Sequence, residues 1–261
     1  MQELAPAALD FGGSNAYSGV STSRTLMLGE LHTLLATTPG TASLADYRRA
    51  IVDENVLLKP SSATRSRTFS YLRDRYGLDP SVPVFTLLRT LWERDEAGQP
   101  LMALLVAALR DPVLRSTLPV MIGCQPDQPV PSAQFSHIIA NAFPDKLNEN
   151  TLKATSERMT STYRQSGHLK GRTRTVRQRV QPTPGSTTIA LLLATLDGAS
   201  GRGLLSTNWV QILDSSPETV LAEARIAANR GWLEYRQAGD VLELTFRTLL
   251  SRIGELAGTP A

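Results

Sequence analysis

The sequence predicts a mainly α-helical protein in which a helical N-terminal domain is followed by two winged-helix-like modules with short β-hairpins. Three observations predict it: apolar residues at helical spacing from Ser23 through about position 120, two proline-rich breaks, and a Gly-x-Leu step that leads from the longest helix of each later segment into an extended ribbon. The 261 residues are 41% hydrophobic, with 27 Lys plus Arg against 24 Asp plus Glu. That balance excludes wholesale disorder, a collagen-like chain and a disulfide scaffold.

Residues 1–20 end in FGGSNAYSGV and show no sustained period. Their Gly and Ser punctuation makes a flexible leader the expectation. The helical domain is assigned to 21–124. Within it Leu26, Leu28, Leu31, Leu34 and Leu35 recur at mostly helical intervals, and Pro39-Gly40 closes the segment. A second helix is expected from Ser43 to about Asp53. A third runs from Ser62 to Tyr76, with Phe69, Leu72 and Tyr76 as its apolar stripe and Gly77 as a left-handed stop. Val84 to Arg94 and Leu101 to Leu109 read as two more, the latter apolar on nearly all sides and so buried. Pro126, Pro129 and Pro131 in CQPDQPVPS cannot sustain a helix, which places a domain boundary there.

A basic winged-helix-like module is assigned to 132–180: helix Ser132 to Phe143, a polar turn, a long helix from about Asn150 to Gln165, then SGHLK and RTRTVRQRV. The break QPTPGS introduces a second module at 185–250, with helices at Thr187 to Leu196, around Trp209 and at Pro217 to Asn229. Its hairpin alternates Leu233 and Tyr235 on one arm and Leu242, Leu244 and Phe246 on the other, about a turn at Gln237-Ala238-Gly239-Asp240. Residues 251–261 are a tail. Helix, helix, longer helix and hairpin is the winged-helix order; the alternative is two unrelated helical hairpins.

Charge separates the two modules. Lys153 to Arg179 holds eight basic residues and one acid, Glu157, an excess of +7, whereas Glu218 to Arg247 holds four basic residues and five acids. A dense cationic segment neutralises phosphates and releases counterions, so polyanion binding is expected of the first module and packing or partner recognition of the second. On the long helix Leu152, Met159 and Tyr163 form the inner face, leaving Lys153, Glu157, Arg158, Ser161, Arg164 and Gln165 outside. In the ribbon Val176 and Val180 share a face with Arg172, Arg174 and Gln178, while Arg177 and Arg179 point the other way. The expected DNA contacts are therefore Lys153, Arg158, Ser161, Arg164, Gln165, Lys170, Arg172, Arg174, Arg177 and Arg179, with the ribbon as a wing or, alternatively, as a disordered basic linker. Arg65, Arg67 and Arg73, on one helix with Arg75, are candidate secondary phosphate contacts, offset by Asp74 and Asp79.

Nothing in the chain announces chemistry. There is no GxxxxGK[ST] or GxGxxG loop, no HExxH and no GxSxG. His32, His137 and His168 are scattered, and one cysteine, Cys124, offers neither a disulfide nor a common zinc site. A non-enzymatic protein is expected, with no cofactor, metal or small-molecule substrate. The longest apolar stretches, Leu101 to Leu109 and Thr187 to Leu196, fall short of the ~20 residues that cross a bilayer. The first twenty residues lack the basic start and apolar run of a signal peptide, so no membrane association and a cytoplasmic location are expected.

Three stretches together, ENVLLKPSSATRSRTFSYLRDRYGL, FPDKLNENTLKATSERMTSTYRQSGHLKG and GDVLEL, resemble the BrxA family, the small non-enzymatic component of BREX bacteriophage-exclusion systems. The likeness lies in an Asn that begins a Leu-rich turn, Ser/Thr-Arg residues after it, and a Leu-Arg-x-Arg-Tyr helix end. It implies a compact, mostly helical protein with winged-helix-like elements that binds double-stranded DNA and serves a complex with other defence-system proteins. The glycine-rich leader and two proline-containing linkers depart from a minimal member, so no contact is carried over residue by residue. The expectation is a double-stranded DNA-binding protein of low sequence specificity; the alternatives are an interaction scaffold in the same kind of complex and an RNA-binding helical factor.

Overall fold

The computed structural model describes residues 3–172 and 174–257. It is mainly helical, with two small antiparallel sheets. The N-terminal helices are α1 (Pro6–Asp10), α2 (Val20–Ser23), α3 (Leu28–Thr37), α4 (Leu44–Arg48, continued by a π-helical turn over Arg49–Asp53) and α5 (Ser62–Tyr76). Then come α6 (Pro83–Trp92), α7 (Gln99–Arg110), α8 (Pro112–Ser116) and α9 (Leu118–Gly123).

Several starts have a local cause. Ser43 and Asp46 form a reciprocal capping box on α4, and Ser61 accepts the Thr64 N–H at 3.2 Å to cap α5. The Asn that opens the Leu-rich turn closes a loop: the Asn55 amide accepts the Lys59 N–H at 2.7 Å and donates to the Lys59 carbonyl at 3.1 Å. Gly77 ends α5 at φ +99°, and a Cβ there would press on Phe85 and Val82. The helix α7 is buried along almost its whole length, as its uniform apolarity requires.

The remaining elements are α10 (Ala133–Ala142), α11 (Glu149–Gln165), β1 (Leu169–Lys170), β2 (Val176–Arg177), α12 (Pro184–Leu196), α13 (Asn208–Gln211), α14 (Pro217–Asn229), β3 (Glu234–Ala238), β4 (Val241–Thr245) and α15 (Arg247–Ala257), with a 3-10 turn at Gly201–Ser206 before α13. The β3–β4 hairpin pairs Glu234 with Thr245 and Ala238 with Val241, burying Leu242, Leu244 and Phe246 as the alternation predicts. The shorter β1–β2 pair aligns Leu169 with Arg177 and Lys170 with Val176.

Three expectations need correcting. The leader is structured: α1 lies in it, Leu4, Ala8 and Phe11 are buried, and the Ala5 N–H donates to Asp197 at 3.0 Å. The start of the tail is helical too, and α15 lies on α6 with Leu249 and Ile253 buried. The proline stretch 126–131 packs along the edge of β2: Val130 N–H donates to the Thr175 carbonyl at 3.0 Å, Arg177 N–H to Gln128 at 2.8 Å, and Pro129 forms a single bridge with Val176. Its prolines exclude a helix but not an edge strand.

One buried apolar cluster runs from Leu4 to Ile253. At its centre α12, buried from Pro184 to Ala194, packs on α7 and α14. The second linker is anchored where α12 begins, by the Gly185 N–H donating to Asp95 at 2.6 Å.

Candidate nucleic-acid interface

The long helix α11 is capped by Asn148, which accepts the Thr151 N–H at 2.8 Å, and is fixed by its inner face. Met159 and Tyr163 are fully buried; Tyr163 stacks on Phe135 with ring centroids 5.5 Å apart and shares a 2.9 Å hydrogen bond with Thr117. Burial pushes the Tyr163 phenol well above its ordinary range, so it stays protonated. The other face carries Lys153 and Glu157, both exposed, and Arg158, Ser161 and Arg164, half-buried.

The ribbon leaves α11 through Gly167 and His168. His168 is fully buried, with Nδ1 2.9 Å from the Ser166 hydroxyl and Nε2 2.9 Å from the Ile212 carbonyl. Burial holds its pKa down to about 4, against the Ile212 hydrogen bond, so the ring is neutral and donates through Nε2. Gly171 turns the ribbon at φ +90°, where a Cβ would stand 2.1 Å from the Arg174 carbonyl oxygen. Only glycine fits that turn. Arg172, Arg174 and Arg179 are exposed, and Lys170 lies 3.6 Å from the exposed Asp127.

Two expected contacts are committed to partners within the fold. Arg177 is 1% exposed: its Nε donates to the Met121 carbonyl at 3.0 Å, Nη1 donates to Gln178, and Nη2 lies 3.1 Å from the Asp214 carboxylate. Alternation along β2 did not place Arg177 because the end of α9 at Met121 and the segment around Asp214 cover the side of β2 expected to be open. Gln165 is half-buried and tethers the chain before α3, accepting the Leu28 N–H at 3.0 Å and donating to the Thr25 hydroxyl at 2.9 Å.

The remaining cations are Lys153, Arg158, Arg164, Lys170, Arg172, Arg174 and Arg179. Among the described residues only Lys170 of these has a carboxylate within 4.0 Å. The structure thus brings basic residues of α11 and of the ribbon to the surface of one segment, largely without ion pairs.

The secondary group on α5 is less uniform. Arg67 is exposed, Arg65 half-buried, and Arg73 is spent on Asp74 at 3.0 Å and lies 5.9 Å from the Phe69 ring centre. Arg75, on the same helix, is wholly buried, 3.9 Å from Asp111 and donating to the Arg24 carbonyl at 3.2 Å. Asp111 also accepts from the Ser21 hydroxyl. This network ties α2 to the core.

The second helix and hairpin have a different character. Arg225 lies 5.2 Å from the Tyr235 ring centre, while Arg202 faces Asp240 at 3.2 Å and Arg236 faces Glu243 at 3.9 Å. Its cations are interleaved with acids, as the charge balance predicts.

His32 and His137 are exposed on α3 and α10. Burial raises the Cys124 thiol above its usual range, which disfavours a reactive thiolate. Among the described residues no group of His, Cys, Asp and Glu is arranged to hold a metal ion, and no helix is long and apolar enough to cross a membrane. No protein-family model matches the chain, and no curated protein matches it.

Proposed function

We propose that this chain is a non-enzymatic double-stranded DNA-binding protein of low sequence specificity, serving with other proteins in a cytoplasmic bacterial antiphage defence complex of the BREX kind. The observation that carries the binding is the set of exposed cations on α11 and the β1–β2 ribbon that lack carboxylate partners. Surface cations without carboxylate partners are free to neutralise phosphates and release the counterions condensed on the nucleic acid, so affinity is driven by phosphate neutralisation and falls steeply with salt. The order α12, α13, α14, β3, β4 supports a winged-helix reading of the second segment, and α10, α11 with its ribbon supports a looser version of it in the first. The defence role is supported by the sequence resemblance to BrxA.

The outward line Lys153, Arg158, Ser161 and Arg164 would lie along a groove, with Lys170, Arg172, Arg174 and Arg179 on the backbone. Phosphate contacts outnumber base readers, hence low specificity. The test is a mobility shift with nonspecific duplex across a salt series. Replacing Lys170, Arg172, Arg174 and Arg179 by Ala should weaken binding and reduce the log–log salt slope by about 3.6, at about 0.9 per lost phosphate contact. A folded variant with unchanged affinity and slope sinks the assignment. Preferential competition by structured RNA would move it to RNA, and nuclease-resistant partners without any duplex shift would move it to a protein scaffold.

A further inference from the structure

Between the outward face of α11 and the ribbon lies a recess of about 460 Å³. Its walls are Arg164 from the helix, Arg172 and Arg174 from the ribbon, Glu157 two turns before Arg164, and Pro129 and Pro131 from the proline stretch. Among the described residues none of the three arginines has a carboxylate within 4.0 Å. The Nε of Arg164 is buried and has no hydrogen-bond partner. A buried donor left unpaired is costly unless something accepts from it.

The recess is more than a phosphate cradle. A carboxylate beside three guanidinium groups repels phosphate, yet it accepts strongly from N–H donors. The rings of Pro129 and Pro131 add apolar surface to the lining. Anion site, acceptor and apolar surface match the three parts of one nucleotide: phosphate, the hydrogen-bonding edge of the base, and its face. In an intact duplex the pairing edge is occupied by the partner base and the faces are stacked, so only a nucleotide out of the stack presents all three.

Resting on the nucleic-acid reading above, we infer that this recess takes an unpaired nucleotide of a bound DNA, its phosphate on Arg172 and Arg174, its ring against Pro129 and Pro131, and its edge at Glu157. Guanine is favoured because its adjacent N1–H and N2–H groups can donate together to one carboxylate. Thymine offers a single N–H there and is disfavoured.

The experiment measures anisotropy of the full chain on a paired duplex, on the same duplex with one bulged guanine, and on one with a bulged thymine. Expected is about tenfold tighter binding of the guanine bulge than of the paired duplex, the size of a good bidentate contact, with the thymine bulge well behind guanine. Glu157→Ala should bring the two bulges within about twofold of each other, a ratio insensitive to its general effect on charge. Equal binding of all three DNAs, or a guanine preference that survives Glu157→Ala, overturns this inference and leaves the duplex reading standing. Absence of binding to every DNA overturns both.

Discussion

Arg177 and His168 show how one buried polar cluster is kept satisfied. The guanidinium is enclosed by the Met121 and Gln178 carbonyls and the Asp214 carboxylate, while the imidazole is fixed between Ser166 and Ile212. The positive charge of Arg177 and the burial of the ring both oppose protonating His168. Its pKa in the fold, about 4, lies below the ordinary 6.5, so as pH falls through that window the unfolded chain takes up a proton that the native chain refuses. Stability is therefore fully present above pH 6.5 and declines towards pH 4, by about 3 kcal/mol at most for this one group. Urea midpoints at pH 7, 5.5 and 4.5 should fall in that order, and His168→Gln should flatten the trend below pH 6.5. An identical pH dependence in the variant would rule this origin out. The composition of the ribbon predicted a cationic surface, and for Arg172, Arg174 and Arg179 it was right. It misplaced Arg177 because alternation along a strand separates two faces without saying which of them another segment covers.

At the scale of elements, most helices were legible because each carries its own apolar stripe, and several a cap or an N-terminal proline as well. The Ser62–Tyr76 and Pro217–Asn229 helices have the predicted ends, set by Ser61 and Gly77 in the first and by Ser216 before Pro217 in the second. The second neighbour of β2 was not legible, since the bridged stretch from Gln128 to Val130 lies among prolines and read as a break. That stretch also lines the recess, so the site could not have been assembled from the basic segment alone. The ribbon depends on the turn at Gly171, where the backbone is left-handed and a methyl group has no room. Gly171→Ala should splay β1 from β2 and scatter Arg172 and Arg174, costing more than the ~1 kcal/mol of an unstrained glycine replacement. Duplex affinity should drop several-fold while α-helical circular dichroism is retained. Full affinity in that variant would show that the arginines work without a defined ribbon, as a basic linker would.

Across the whole molecule, the feature with the widest consequence is the burial of α7 and α12 against each other. A chain read from its punctuation divides at 126–131 and 181–186, because proline stretches in sequence look alike whether they span open solvent or lie against a neighbour. In the structure the first stretch is hydrogen-bonded to the ribbon, and the second enters α12 held by Asp95. The leader reaches Asp197 after α12, and α15 returns to α6, so both ends of the described chain close over the same core. Separating the helical N-terminal part from the rest would expose α12 along the side that meets α7, a loss of apolar burial that a small remaining segment could not replace. Unfolding should therefore be a single cooperative transition, with calorimetric and van't Hoff enthalpies in agreement and with near- and far-ultraviolet dichroism changing together. Two resolved transitions, or a stably folded fragment from residue 132 onwards, would instead mean that the basic segment is an autonomous module. The distinction bears on binding: in one cooperative body the arginines of α11 and the ribbon are held in place by the core from both ends of the chain, so destabilising α7 or α12 should weaken DNA binding only as the whole protein melts.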